Sequence, residues 1–218
     1  MATSRLDEAP RRLGPGEVHV WRFAPDPTRD GAREDVRDIL ASYVGLPPAR
    51  IEFRSSRRGR RPMLAHGICP ELSFNLAHSG REALLAVAQV RRVGVDIERT
   101  RPVLRLDRLI RRFFSVREAD ELLHLKREER EAAFFRTWVR KEAYLKAVGG
   151  GVPGGLRRFS VSIASDEPPK ILNTELEPGG ASAFSLSTTS TFLRATWGHW
   201  RSKERGTGSG GTTGDFGR

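Results

Sequence analysis

Two charged residues within an apolar helix face, in the segment 138–146, restrict the fold of this chain more than any other part of its sequence. At about 100° per residue, Glu142 lies roughly 40° and Lys146 roughly 80° from Trp138. An unpaired buried carboxylate is costly, so Glu142 requires a nearby cation or a proton. An ordinary pair of Glu142 with Lys146, one helical turn further on, satisfies the same requirement. The segment alone leaves both interpretations open.

A second acidic motif lies upstream, in the segment 93–98. Its apolar residues alternate with Gly94, Asp96 and Glu98, which predicts a strand with both carboxylates on one face. Their Cα atoms would lie about 6.5 to 7 Å apart, and two such carboxylates repel unless a cation lies between them. Oxygen ligands without Cys or His partners suit Mg²⁺ better than Zn²⁺. For this motif alone, a solvated strand face is the commoner explanation.

Together the two motifs resemble the paired signature of the 4'-phosphopantetheinyl transferases, and specifically of their single-chain, surfactin-synthetase-activating (Sfp-like) type. The resemblance rests on the strand 94–98 and, downstream, on Trp138, Lys141, Glu142, Ala143 and Lys146. Three further pieces occur in the family's order: Arg61-Pro62, residues 74–80 and residues 99–102. The similar region runs from about residue 33 to about residue 159, more than half of the chain.

This resemblance implies an α+β fold of two pseudo-symmetric α/β halves, with the active site in the cleft between them. We expect residues 17–102 to form the first half, with the coenzyme A- and metal-binding strand, and residues 103–202 to form the second half, with the catalytic helix. Residues 1–16 and 203–218 contain little apolar material, and we expect both to be disordered.

Hydrophobic periodicity predicts the individual elements. Helices are expected at residues 32–43, 106–113 and 128–147, and another starts at a capping box formed by Ser115 and Glu118. Strands are expected at residues 17–23, 51–53, 74–77, 84–90, 93–97, 159–163, 183–187 and 192–200. The strands 84–90 and 93–97 are expected to pair through a tight Arg91-Arg92 turn. Trp138 is expected to lie in the core.

The activity implied by the resemblance is transfer of the 4'-phosphopantetheine arm of coenzyme A to a serine of an apo acyl or peptidyl carrier protein domain, with adenosine 3',5'-bisphosphate leaving. Such a transfer needs alignment and charge neutralisation more than a covalent helper. Asp96, Glu98 and Glu142 are expected to hold Mg²⁺, with Mn²⁺ as an alternative ion. Lys146 is expected to bind the diphosphate and to act in catalysis with Glu142, which serves as ligand, as base or as both.

Five more residues are expected to contact coenzyme A: Arg33, Arg61, Pro62, His78 and Ser79. His78 and Ser79 follow a predicted strand, where they would hydrogen-bond phosphate oxygens, although a lone His is more often a surface residue. Arg61 stands where the family usually has Lys. Arginine still binds phosphate, through a planar fork instead of a point charge.

The net charge of +11 narrows the choice of partner. Arginines cluster at residues 54–61 and 101–112, and basic clusters often bind nucleic acid. The first cluster lacks the aromatic residues on which bases would stack, and the base composition of the coding DNA would also explain an excess of arginine. We expect the partners to be coenzyme A and acidic carrier domains, with docking on Arg105, Arg108, Arg111 and Arg112. A merely solvated arginine face is the alternative.

The rest of the sequence predicts a cytoplasmic monomer that binds neither nucleic acid nor membrane. The single cysteine, Cys69, excludes an internal disulfide. The first residues lack the apolar run of a signal peptide, and the apolar run 83–90 is too short to span a bilayer. Two other classes stay open: an Mg-dependent nucleic-acid-processing enzyme and a non-catalytic, carrier-binding relative of the family. The intact Asp96, Glu98, Glu142 and Lys146 argue against the second.

Overall fold

The computed structural model describes residues 12–14, 17–25, 32–55, 62–65, 67–89, 93–148, 155–166, 169–175, 186–189, 192–195 and 199–204. Four helices and eleven strands lie in these residues. The first seven elements are β1 (Glu17–Phe23), α1 (Ala32–Val44), β2 (Phe53–Ser55), β3 (Pro62–Leu64), β4 (Ser73–Ser79), β5 (Glu82–Ala88) and β6 (Ile97–Arg99). The others are α2 (Leu106–Phe113), α3 (Val116–His124), α4 (Arg127–Val148), β7 (Phe159–Val161), β8 (Ile171–Thr174), β9 (Leu186–Thr189), β10 (Phe192–Ala195) and β11 (His199–Glu204).

These elements confirm the predicted α+β fold class. The largest sheet has the strand order β11-β1-β5-β4, and the next has the order β6-β10-β9. The first sheet is antiparallel except for the parallel pair of β1 and β11. Two short hairpins, β2-β3 and β7-β8, complete the described sheets. None of the described helices combines the length and the apolar character needed to cross a membrane.

Strand pairing crosses the boundary that we expected between the halves. β6 precedes residue 102 but pairs with β10, and β11 follows it but pairs with β1. The two halves of the sequence therefore interlock through both sheets. This interlocking brings the acidic segment before residue 102 next to the helices that follow it.

The central strand β5 explains why one predicted pairing is wrong. Both of its edges are occupied, by β1 and β4. Its alternate residues face two different apolar clusters, with Leu85 in one and Leu84 in the other. Val93, Val95 and Ile97 belong to the cluster around Leu84. The segment 93–97 thus packs across a face of the sheet and not along an edge of β5, while Arg91 and Arg92 lie outside the described residues.

The segment 93–97 also differs from the strand that we predicted. Residues 93 to 97 are all buried, without the alternation that the sequence shows, and the strand β6 begins only at Ile97. The Val95 amide and the Asp96 carboxylate form hydrogen bonds with side chains instead of with a neighbouring strand. Because this segment packs on the face of a sheet, its residues 94–96 are not paired with a neighbouring strand. Side-chain hydrogen bonds and contacts with α4 hold them instead.

Most of the other predicted elements occur close to their expected positions. β1, α1, α2 and α4 differ from the predicted bounds by at most one residue, and Ser115 and Glu118 form the predicted capping box. The strand predicted at 51–53 overlaps β2 only at Phe53, because residues 51 and 52 are not part of a strand, and β8 was not predicted. The predicted strand 74–77 continues as β4 through His78 and Ser79, and the predicted strands 84–90, 159–163 and 183–187 lie at β5, β7 and β9. The single strand predicted at 192–200 is wrong: β10 pairs with β6 and β9, whereas β11 pairs with β1 in the other sheet.

The expected disordered ends overlap the described residues in two places. Leu13 is buried in the cluster around α1, and the Gly14 amide donates to the Glu17 carboxylate at 2.7 Å. At the other end β11 continues to Glu204, two residues past the expected limit. The remaining parts of 1–16 and 203–218 lie outside the described residues.

The long helix α4 connects the second apolar cluster to the cleft. In its first half Phe134 and Phe135 pack with Ile110, Phe114 and Leu122 of the α2–α3 region. The half-buried Trp138 contacts the Phe113, Phe114 and Phe134 rings, so its predicted core position is confirmed. This packing fixes the direction of α4 before its last turns reach the acidic segment.

Candidate active site

The ammonium group of Lys146 joins the two sequence motifs. Its Nζ donates to Asp96 Oδ1 at 2.7 Å and to the Val95 carbonyl oxygen at 3.1 Å. The two residues are 50 positions apart in sequence. The simpler alternative, an ion pair of Lys146 with Glu142 alone, is therefore wrong, because Lys146 reaches across the cleft to the acidic segment. No described residue donates a hydrogen bond to the half-buried Glu142 carboxylate.

Gly94 allows the acidic segment to lie directly on the backbone of α4. A Cβ atom added at Gly94 would lie 2.1 Å from the Ala143 carbonyl oxygen and 2.5 Å from the Ala147 amide nitrogen. Both distances are shorter than real Cβ contacts. Only glycine fits this approach, and the approach places Asp96 within reach of Lys146.

β4 holds the same segment from the other side. Asn75 Oδ1 accepts a hydrogen bond from the Val95 amide at 2.8 Å. Ser79 Oγ donates to Glu98 Oε2 at 3.2 Å and accepts from the Arg99 amide at 3.1 Å. The acidic segment is therefore held between a strand of the first sheet and the last turns of α4.

Burial and the repulsion of neighbouring carboxylates disfavour the ionised forms of Asp96 and Glu142. Burial raises the pKa of Asp96 to about 6, opposed by the Lys146 charge and assisted by Glu142 and Glu98. Burial also raises the pKa of Glu142, again opposed by Lys146 and assisted by Glu98. Glu98 thus lies close enough to both Asp96 and Glu142 to disfavour their ionised forms. A further cation in the cleft would relieve that repulsion.

The chemistry of these side chains favours such a cation, although their oxygens are not arranged around a common position. No group of three His, Cys, Asp or Glu side chains in the described part of the chain is arranged to hold a metal ion. Lys146 occupies one oxygen of Asp96, whereas the other, Oδ2, is buried and has no hydrogen-bond partner. An orphaned buried carboxylate oxygen beside two more carboxylates suits a hard divalent cation.

Comparison with known proteins assigns this arrangement to a family. The sequence model of the 4'-phosphopantetheinyl transferase superfamily matches residues 92–202, about half of the chain. The chain belongs to this superfamily. The matched region contains both the acidic segment and α4, so the residues that meet in the cleft all lie within it.

Individual relatives agree with the superfamily assignment. The chain is 39% identical over 137 residues to 4'-phosphopantetheinyl transferase HetI of a Nostoc species, covering 62% of this chain and 57% of HetI. It is 36% identical over 132 residues to 4'-phosphopantetheinyl transferase psf-1 of Bacillus pumilus, covering 60% and 54%. It is 30% identical over 155 residues to 4'-phosphopantetheinyl transferase Sfp of Bacillus subtilis, covering 66% of each chain. The chain therefore spans little more than half the length of HetI and psf-1, and these relatives support the Sfp-like type.

The described residues among those expected to contact coenzyme A lie on β4 or on elements close to it. His78 is exposed near the end of that strand, and Pro62 is exposed at the start of β3. The exposed Arg33 of α1 places its guanidinium 5.8 Å from the centre of the Phe53 ring, and that ring packs against Phe74 of β4. Arg61 lies outside the described residues.

The arginines expected to dock a carrier protein are all exposed. Arg105 immediately precedes α2, and Arg108, Arg111 and Arg112 lie on the helix. The one acidic residue of α2, Asp107, accepts a hydrogen bond from Arg130 of α4 at 3.0 Å. None of the four arginines forms an ion pair with a described carboxylate. Apart from Asp107, the exposed charges of α2 and of the residue before it are therefore all positive.

A buried ion pair behind the cleft is absent from the sequence predictions. Lys141, next to Glu142, is fully buried and donates to both carboxylate oxygens of Glu118, at 2.8 and 2.7 Å. Burial lowers the pKa of Lys141 to about 8, opposed by Glu118. The helical wheel contains a signal for this pair, since Lys141 lies about 60° from Trp138 on the side opposite to Glu142. The capping box pairs Glu118 with Ser115 and gives no indication of a second partner.

Proposed function

We propose that this protein transfers the 4'-phosphopantetheine arm of coenzyme A to a serine of apo acyl or peptidyl carrier protein domains, and that adenosine 3',5'-bisphosphate is the other product. The observation that carries the proposal is the contact of Lys146 with Asp96, beside Glu98 and Glu142. It assembles both motifs of the superfamily in one cleft. The names of the relatives as 4'-phosphopantetheinyl transferases support the same activity.

In this proposal the reaction breaks the phosphoanhydride bond of the coenzyme A diphosphate and forms a phosphoester bond to serine. The serine oxygen attacks the phosphorus that carries the pantetheine arm, and the bond to the bridging oxygen of the diphosphate breaks. The adenosine 3',5'-bisphosphate leaves with that oxygen, and the serine proton passes to a base. Negative charge grows on the leaving phosphate, so the site must supply positive charge there.

Lys146 supplies part of that charge. Its side chain is only partly exposed, and in the cleft its ammonium already contacts the carboxylate of Asp96. An ammonium held at this position by α4 would donate to an oxygen of the coenzyme A diphosphate. Because the leaving phosphate becomes more negative as the bond breaks, this hydrogen bond would strengthen in the transition state.

Glu142 is the proposed acceptor of the serine proton, directly or through a water molecule. Burial raises its pKa, which makes its carboxylate a better base than an ordinary glutamate. The carboxylate also receives no hydrogen bond from the described residues, so its oxygens are available. The same oxygens suit a metal ion.

Asp96, Glu98 and Glu142 would together hold Mg²⁺, with Mn²⁺ as an alternative. When bound, such an ion would neutralise charge on the diphosphate and help to align it. The buried, unpartnered Oδ2 of Asp96 supports this assignment. Removing either Asp96 or Glu142 should therefore abolish transfer.

Coenzyme A would lie along β4, with its phosphates near Lys146, His78 and the sequence-predicted Arg33, Arg61 and Pro62. The carrier domain would dock on the exposed arginines of α2. Leu104, which precedes that helix, and Val116, the first residue of α3, are 89% and 68% exposed and would supply apolar contacts. A cytoplasmic monomer that binds neither nucleic acid nor membrane remains part of the proposal.

The decisive experiment incubates the protein with coenzyme A, Mg²⁺ and an apo carrier domain and measures the mass of the carrier. We expect a gain equal to one phosphopantetheine group, lost with excess chelator and in the variants Asp96→Ala and Glu142→Ala. Asp120→Ala, which removes an exposed carboxylate of α3, is the matched control and should stay active. An unmodified carrier that still binds would support a non-catalytic relative. Full activity in chelator would contradict the metal site.

A further inference from the structure

One face of β4 is shaped to receive the acidic segment 93–99. Successive residues of a strand point to opposite faces, so Asn75, Ala77 and Ser79 share one of them. Ala77 packs in the apolar cluster that contains Val93, Val95 and Ile97. Asn75 accepts the hydrogen bond of the Val95 amide at 2.8 Å. Ser79 is the last residue on this face and lies beside Glu98.

Both hydrogen-bonding functions of the Ser79 hydroxyl are used within this contact. Its proton goes to Glu98 Oε2 at 3.2 Å, and its oxygen accepts from the Arg99 amide at 3.1 Å. A hydroxyl has one proton to donate, so Ser79 cannot also donate to a phosphate without releasing Glu98. The Arg99 contact anchors the hydroxyl to the backbone, which restricts where the Glu98 carboxylate lies.

His78 points to the opposite face. By the same alternation it follows Phe74 and Leu76, on the side where the Phe53 ring and the Arg33 guanidinium lie. His78 is exposed at that end of the strand. The adjacent polar residues His78 and Ser79 therefore serve two different faces of β4.

We propose that Ser79 is a positioning residue that orients Glu98 for the metal ion, and that it is not a contact of coenzyme A. The inference rests on the proposed function, since a fixed Glu98 matters only if that carboxylate binds a cation. Partners that orient metal ligands typically change metal affinity by about 10- to 100-fold when they are removed. Loss of a coenzyme A contact would instead raise the KM for coenzyme A.

The test measures Mn²⁺ binding directly, by electron paramagnetic resonance, alongside steady-state transfer. Wild type is compared with Ser79→Ala, Ser79→Thr, His78→Ala and Glu98→Gln, each checked for an unchanged thermal unfolding transition. We expect Ser79→Ala to weaken Mn²⁺ binding about tenfold with an unchanged KM for coenzyme A at saturating Mn²⁺. Ser79→Thr, which keeps the hydroxyl, should restore binding. His78→Ala should show the reverse pattern, a raised KM with unchanged Mn²⁺ binding.

Each other result overturns a definite part of the inference. A raised KM for coenzyme A with unchanged Mn²⁺ binding in Ser79→Ala would make Ser79 a substrate contact. No change in either quantity would mean that the hydrogen bond to Glu98 has no functional role. Should wild type and Glu98→Gln bind Mn²⁺ equally, the metal site itself is wrong and the positioning role fails with it. The carrier-mass assay tests the proposed transfer independently of these outcomes.

Discussion

Two lysines on α4 form ion pairs of opposite character. Lys141 pairs with Glu118 in the interior, where the Glu118 oxygens also accept from the Ser115 and Val161 amides. Lys146 pairs with Asp96 in the cleft, where Asp96 Oδ2 has no partner. The first pair is closed because every oxygen is satisfied, and it can only serve the fold. The second is open, because it has an acceptor left over for a ligand.

One helix, α4, therefore carries both a pair that holds the fold and a pair that belongs to the candidate active site. We call the elements held by the closed pair the frame. The closed pair connects α4 to the start of α3 and to β7, which fixes the rotation of the helix about its axis. The neighbouring residue Glu142 and, one turn later, Lys146 then face the cleft. Replacing a residue of the closed pair should therefore mainly lower the free energy of unfolding. Replacing a residue of the open pair should mainly lower the rate of transfer.

The largest expected effect comes from breaking the closed pair. Glu118→Gln leaves the Lys141 charge buried without a counter-charge, which should lower the free energy of unfolding by about 3 to 5 kcal/mol. Asp96→Asn should change it far less, because burial already disfavours the Asp96 carboxylate. Urea denaturation followed by tryptophan fluorescence measures both. Equal losses in the two variants would show that the distinction between the pairs is wrong.

The open pair should show the opposite pattern. Lys146→Ala should slow transfer at saturating coenzyme A by roughly 10²- to 10³-fold, or about 2.7 to 4 kcal/mol, with little loss of stability. Lys126→Ala, which removes an exposed ammonium between α3 and α4, is the control and should keep the wild-type rate. An unchanged rate in Lys146→Ala would reduce Lys146 to a structural partner of Asp96.

The contact between Gly94 and α4 links the two pairs and should have an intermediate effect. Gly94→Ala forces the acidic segment away from α4, because the new methyl group would meet the backbone at Ala143 and Ala147. We expect a loss of stability of about 1 to 3 kcal/mol and a large fall in kcat, since Asp96 would move away from Lys146. Gly67→Ala is the control for stability loss alone: its Cβ atom would meet nothing within 4 Å, but the φ of 86° at Gly67 strains an alanine, so this variant should lose stability and keep a normal kcat. A variant with lowered stability and normal kcat would remove Gly94 from the site.

The sequence predicted the helices of this frame but not its closed pair. The helix signals depend only on residues within one or two turns, so the local sequence is enough to predict them. They are the periodicity of residues 106–113 and 128–147 and the capping box at Ser115. The contact of Glu118 with Lys141 joins residues 23 positions apart, and no local pattern fixes it. Likewise, alternation at 93–97 indicated extended backbone but could not distinguish packing across a sheet face from pairing at an edge. The superfamily resemblance supplied the residues of the open pair, whereas their mutual geometry came only from the fold.

The exposed arginines of α2 differ from both lysines, because they form no ion pair with a described carboxylate. Arg108 and Arg112 have no described carboxylate partner, because Asp107 is bound by Arg130. Reversing both charges should therefore leave stability, Mn²⁺ binding and the KM for coenzyme A unchanged. An exposed pair contributes only about 0.2 to 1 kcal/mol, so Arg108→Glu with Arg112→Glu should raise the KM for the carrier several-fold. Wild-type transfer at low carrier concentration should also slow with added salt.

A matched double variant separates docking from net charge in this last experiment. Lys126→Glu with Arg127→Glu changes the charge of the protein by the same amount, at the turn between α3 and α4. If both double variants raise the carrier KM equally, only the overall field attracts the carrier. If the α2 variant alone does so, α2 is the docking surface. A normal carrier KM in the α2 variant would place the docking surface elsewhere, and a weaker affinity for coenzyme A would assign these arginines to the substrate site.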